Sequence, residues 1–159
     1  MLKITHSLDK TDKAILKRLQ VNSRMPNSEL ADKVKLSASA CLKRVNRLRE
    51  QGTIKQFTAV INPIDIGLEI TTFVFVALSP HNRKAAEEFV KKIKAVGQIL
   101  ECYHVTGEFD YLLKIVASNI SAYRDFVIDE LLTIASVSKL ETLVVLKSEK
   151  QTFNLPIEK

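Results

Sequence analysis

Apolar residues recur along this chain with two periods, and the change of period divides it. In the first fifty or so positions they fall three and four apart. Leu8, Ile15, Leu16 and Leu19 follow Ser7 and Asp9, either of which can cap a helix start. Pro26 interrupts the pattern, and Asn27 can cap a second helix carrying Leu30, Ala31 and Val34. The short connection Val34-Lys35-Leu36-Ser37 leads to a third helix, capped by Ser37 and running to about Glu50, with Gly52 just past its end. Two helices joined by so short a turn, the second of them basic, predict a helix-turn-helix. At 100° per residue, Ala38, Cys41, Val45 and Leu48 of the third helix share an inward arc. Ser39, Ala40, Lys43, Asn46 and Arg47 lie opposite, with Arg44 at the margin.

Beyond Gly52 the period falls to two. Residues 53–61, rich in β-branched side chains, predict a strand, ended by Asn62-Pro63 and Gly67; this stretch reads as a hinge. Residues 71–78 form a strand stopped by Ser79-Pro80, after which Asn82 caps a helix with Ala86, Phe89, Val90 and Ile93 on one face, closed by Gly97. Strands at 99–105 and 111–117 flank the turn Thr106-Gly107-Glu108-Phe109-Asp110. Asn119 opens a helix carrying Tyr123, Phe126, Val127 and Leu131, and residues 137–146 make the last strand. The order β-α-β-β-α-β is the split βαβ, a four-stranded antiparallel sheet with both helices on one side. The fold class is therefore α+β. A three-helix helix-turn-helix domain at 1–52 is joined by a β-strand linker at 53–67 to a ferredoxin-like domain at 68–159, whose polar tail starts at Lys147.

Composition narrows the class. The 159 residues are 46% hydrophobic and 26% charged, which excludes disordered, collagenous and low-complexity chains. No apolar run approaches the ~20 residues of a membrane span. The N-terminal residues Met1 to His6 carry no secretion signal, and Cys41 and Cys102, inside apolar patterns, read as buried reduced thiols, so a cytoplasmic protein is expected. Charge is more telling when divided. Residues 1–60 hold 13 Lys/Arg and 5 acids, a net +8, whereas the remaining 99 carry −2. All of the positive excess sits on the helix-turn-helix, which points to a polyanion as its partner.

Between Ser37 and Arg49 there is no acid at all, although a merely solvated face normally mixes signs. Double-stranded DNA is the expected partner, contacted by Ser37, Ser39, Lys43, Arg44, Asn46 and Arg47. Arg47 is the expected base reader, since a guanidinium can engage guanine O6 and N7 together; Lys43 and Arg44 set register on phosphates, and Ser37 can be a cap alone. Catalysis finds little support. His104 and Cys102 share a strand face, but no third ligand, phosphate-binding glycine loop or nucleophile elbow accompanies them. His6 and His81 fall in a terminus and a turn, where solvation explains them. The chain therefore reads as no enzyme, with no cofactor and no metal site.

Several ordered motifs resemble the Lrp/AsnC (feast/famine) transcriptional regulators. They are Leu8-Asp9-Lys10-Thr11-Asp12 with Ile15-Leu16, Leu30-Ala31, Leu36-Ser37 running into Arg44-Val45-Asn46-Arg47-Leu48, and Gly52-Thr53-Ile54. In the second half, Val105-Thr106-Gly107-Glu108-Phe109-Asp110-Tyr111 and residues 142–146 continue the likeness. The resemblance implies a homodimer, built by pairing of the sheets and assembling to an octamer, that binds DNA and responds to an amino acid or related metabolite. It places that effector at a subunit interface beside the Gly-x-x-Asp turn. Thr106, Gly107, Asp110 and Tyr111 are the candidate effector residues on this basis. The turn's chemistry suits the role, since its backbone can receive a carboxylate and Asp110 an α-ammonium, but a hairpin needs Gly and Asp for its own geometry too. The sequence departs from the family at Lys35, where many relatives have glycine, and at Ile134-Ala135-Ser136-Val137, which replaces a common Pro-Gly turn. The alternative to a specific regulator is a low-specificity DNA-architectural protein without an effector. An enzyme or metabolite-binding module built on the sheet domain is a second rival.

Overall fold

In the computed structural model, residues 7–158 are described; the expectations for Met1 to His6 lie outside them. The chain divides into two compact units, Met1–Val60 with Lys150–Lys159, and Ile61–Glu149. This division differs from the expected boundaries at the tail. The last ten residues belong with the helices, because the Gln20 side-chain amide pairs with Leu155 as a second backbone would. Leu155 N–H donates to Gln20 Oε1 at 2.7 Å, and Gln20 Nε2 donates to the Leu155 carbonyl at 3.2 Å.

The first unit holds α1 (Lys10–Val21), α2 (Asn27–Lys33) and α3 (Ala38–Glu50). Asp9 is the cap of α1. Its carboxylate accepts from Asp12 N–H at 2.7 Å while the Asp12 carboxylate reaches back to Asp9 N–H, a closed capping box. Asn27 does not cap α2 as expected. Pro26 holds that position with its fixed φ, and Asn27 is the first helical residue, donating through its amide to the Ala38 carbonyl at 2.8 Å. Ser37 caps α3 by accepting from Ala40 N–H, and Gly52 follows the helix with φ +73°. Ile15, Leu19, Leu30, Ala31, Cys41 and Leu48 form the core, with Val45 packed against it. Ala38, expected inside, is exposed, because it is the end residue of α3 and Cys41 is the first to be fully covered.

Lys35 sits at φ +57° in the turn between α2 and α3, the conformation for which glycine is suited. A side chain there costs roughly 1–2 kcal/mol. Lys35→Gly should therefore stabilise the protein by up to about 1 kcal/mol in chemical denaturation, part of the relief being offset by glycine's greater freedom when unfolded. A loss of stability would show that the Lys35 side chain contributes more than its backbone costs. The other departure is benign: Val137 N–H closes a turn on the Ile134 carbonyl at 2.9 Å with no left-handed residue in it.

Residues 53–61 form no strand, contrary to the expectation. β propensity makes a strand only where a ladder partner exists, and among the described residues none pairs with the segment. It runs irregularly, with Phe57, Val60 and Ile61 exposed.

The second unit has the expected order: β1 (Ile70–Leu78), α4 (Arg83–Ile93), β2 (Ile99–His104), β3 (Tyr111–Ala117), α5 (Ile120–Phe126), continued by a π turn at Val127–Leu131, and β4 (Val137–Val144). Asn82 and Asn119 cap α4 and α5 by accepting from Ala85 and Ala122 N–H, each at 2.9 Å. The sheet runs β2-β3-β1-β4, antiparallel throughout. Val74, Val76, Leu78, Leu113 and Ile115 face both helices and pack on Phe89, Ile93, Tyr123, Phe126 and Leu131. The opposite sheet face has no helix. Of the two cysteines, Cys41 is buried as expected and Cys102 is exposed, because it lies on β2 at the sheet edge. Among the described residues, no helix is long and apolar enough to cross a membrane.

Candidate nucleic-acid interface and effector turn

The outer stripe of α3 is set by helical geometry: Ser39, Leu42, Lys43 and Asn46, at i, i+3, i+4 and i+7, are all exposed. Ser37 is occupied as the cap, its hydroxyl 3.2 Å from that of Ser39. The absence of acid between Ser37 and Arg49 does not leave this stretch of α3 free of facing carboxylates, because Asp12 of α1 and its cap Asp9 supply two. Asp12, only 1% exposed, receives Arg47 at 2.6 Å through both oxygens and Arg44 at 2.9 Å. Arg44 also pairs with Asp9. The Asp9 carboxyl is held below its ordinary 3.8, chiefly by the Asp12 N–H and then by Arg44, while hydrogen bonds to the Asp9 and then the Asp12 carboxylate push the Arg44 guanidinium further up.

The six residues expected at DNA thus fall into two sets. Ser37, Ser39, Lys43 and Asn46 line the exposed stripe. Arg44 and Arg47 turn back to α1 and fasten α3 by its middle. Sequence reading missed Leu42, exposed to 49% in the centre of the stripe; its failure to join the apolar arc was the available signal. It also missed the partners of the arginines, although Asp9 and Asp12 are visible in the sequence.

The turn after β2 is closed by Val105 N–H donating to the Asp110 carbonyl at 2.9 Å. Gly107 has φ +122°, which a residue with a Cβ rarely adopts. Asp110 is built into the turn's own support: Oδ2 accepts from Leu78 N–H at 2.7 Å, its N–H donates to the Val76 carbonyl, and Oδ1 lies 3.3 Å from His81 Nδ1. Lys139 joins the same cluster, pairing with Glu108 and lying 4.8 Å over the Phe109 ring. Thr106 and Gly107 are exposed. Tyr111 is not with them; it is 5% exposed, between Phe89 and the stacked His104 ring. His104 is thereby explained as an aromatic neighbour.

The open sheet face is apolar at its centre. Phe73 stands beside Leu143 and Lys114, and Phe75 beside Leu112 and Glu141, in the ladder register. Tyr103 pairs with Leu112 from β2, and Phe109 packs on Phe75 with centroids 5.3 Å apart. Tyr103 and Leu143 are half exposed.

Comparison with known proteins also divides the chain in two. A family model described as a winged helix-turn-helix DNA-binding domain matches residues 8–55, and one described as the Lrp/AsnC ligand binding domain matches residues 71–155. Transcriptional regulator AzlB of Bacillus subtilis is 42% identical over 151 residues, covering 95% of this chain and 96% of its own length. The leucine-responsive regulatory protein of Escherichia coli is 38% identical, with 95% and 92% covered. A transcriptional regulator of Neisseria meningitidis, solved as a complex with L-Met, superposes with a TM-score of 0.89 at 37% identity, over 94% of this chain and 97% of that one.

Proposed function

We propose that this chain, which belongs to the Lrp/AsnC family of transcriptional regulators, binds DNA sequence-specifically as a homodimer and senses an amino acid or related small metabolite at a subunit interface. The observation that carries the DNA side is the exposed stripe of α3, small at its N-terminal end, carrying Lys43 and free of acid, on a helix anchored from behind. Ser39, Lys43 and Asn46 meet the duplex, with Ser37 at its edge. Arg44 and Arg47 hold the helix at its angle rather than reading bases.

The sheet supplies the symmetry. A face centred on Phe73, Phe75, Leu112 and Tyr103 has no helix over it among the described residues of its own unit, and a second copy of the same face covers it in an isologous pair. Octamer formation builds on that dimer. Two α3 helices then stand one helical turn apart, about 34 Å, on a palindromic site.

The effector reading rests on the turn. Residues 106–108 are exposed, so an amino-acid carboxylate reaches their backbone, and Asp110 Oδ1 accepts the α-ammonium in place of His81. Thr106 and Gly107 frame the ligand, and Tyr111 supports the turn from the core. The relatives named for leucine and solved with L-Met favour an amino acid over other metabolites.

Competition binding on a selected site against scrambled DNA, with and without a panel of amino acids, tests both halves. The specific site should win by about a thousandfold or more, the lower end of the usual specificity ratios, and one or more amino acids should shift affinity or assembly. Equal binding to scrambled DNA would favour the architectural alternative. Gly107→Ala should weaken the amino-acid response by roughly tenfold, through strain at φ +122°. An unchanged response would move the effector away from this turn.

A further inference from the structure

The stripe just assigned to DNA contains one residue whose chemistry does not fit phosphate. Leu42 lies between Ser39 and Asn46 and beside Lys43, and it is 49% exposed. It takes no part in the core of its unit, which is closed by Cys41, Val45 and Leu48 on the other side of α3. Scattered exposed leucines are ordinary on a protein surface. This one sits among the exposed polar residues Ser39, Lys43 and Asn46 near the start of the helix, where side chains reach base edges rather than the backbone.

We propose that Leu42 reads a thymine through its C5-methyl group in the major groove. This deepens the reading of α3 as the groove-entering helix and rests on it. In that groove each base edge offers donors or acceptors, and the thymine methyl is the apolar group among them. A leucine opposite any other edge desolvates polar atoms without replacing their hydrogen bonds. Ser39 before it and Lys43 and Asn46 after it hold register, so Leu42 favours thymine at one fixed position of each half-site.

The test uses the full-length protein and an operator obtained by selection from random DNA. Each thymine of a half-site is replaced in turn by deoxyuridine, which removes the methyl and leaves pairing intact. For the unmodified protein, one thymine should stand out, its replacement weakening binding about fourfold per half-site, the worth of burying one such carbon. Leu42→Ala should lose affinity for the unmodified operator by a similar factor and be indifferent to deoxyuridine at that thymine. Circular dichroism should show the variant folded, since alanine favours helix at an exposed position. Equal losses in both proteins, or no sensitive thymine, would overturn the assignment to Leu42 while leaving DNA binding intact. Failure of any operator to emerge would overturn both readings.

Discussion

Placing a charge at the centre of the open sheet face should convert the protein to monomers and abolish tight operator binding. The residue is Phe75, partly buried on β1 and packed at 5.3 Å against Phe109, with Leu112 and Glu141 as its ladder neighbours. In the dimer a carboxylate here would be buried against a second apolar face, while the nearby Lys139 is already engaged by Glu108 and the Phe109 ring, at a cost of several kcal/mol. In the monomer the position keeps access to water, so Phe75→Asp should still fold. The functional loss is larger than the structural one. Two linked recognition helices bind as a unit, and separating them gives up roughly 10²–10⁴ in affinity. Sedimentation should report the monomer, and titration on a two-half-site operator should show the loss, with weak half-site binding retained. Tyr103→Asp, from the exposed edge of the same face, should act in the same direction with less risk to the fold. A variant that stays dimeric would place the dimer contact elsewhere on the chain.

The same sheet shows what could be read in advance. Its six elements were legible because alternation, capping and breaking are local. Asn82 and Asn119 each bond an N–H three residues ahead, and Gly107 marks a backbone conformation that its neighbours cannot adopt. The pattern failed where a decision belonged to distant residues. Residues 53–61 have strand composition but no ladder in their own chain, and composition cannot supply a partner. The return of the tail to Gln20, 135 positions from Leu155, leaves no periodic trace. The candidate site divides along the same line. The exposed stripe followed from helical angles, whereas the diversion of Arg44 and Arg47 depends on where α1 crosses them. A run without acids says nothing of acids brought in from another helix.

That diversion can be tested with one substitution whose competing explanations differ in sign. Asp12 is almost wholly buried and joins three groups: Arg47, Arg44 and, through the capping box, Asp9 N–H. Asp12→Asn keeps the shape and removes the charge. Hydrogen bonds to charged groups contribute roughly 1.5–3 kcal/mol, and the partial exposure of both arginine side chains places the expected loss near the lower end, about 2 kcal/mol. Thermal denaturation should register it. For DNA, simple electrostatics predicts tighter binding, because the domain gains a unit of positive charge and α3 loses an opposing carboxylate. If Asp12 fixes the angle of α3, non-specific affinity should rise as that argument requires. Affinity for the selected operator should fall by about tenfold or more, since a small misplacement of the helix spoils every base contact at once. The ratio of the two affinities is the decisive quantity. Should both affinities rise together and preference sharpen at a guanine, Asp12 would be withholding Arg47 from the groove, and Arg47 would be a base reader after all. Holding the fold to a common standard, by measuring at a temperature well below both melting transitions, keeps stability from mimicking either result.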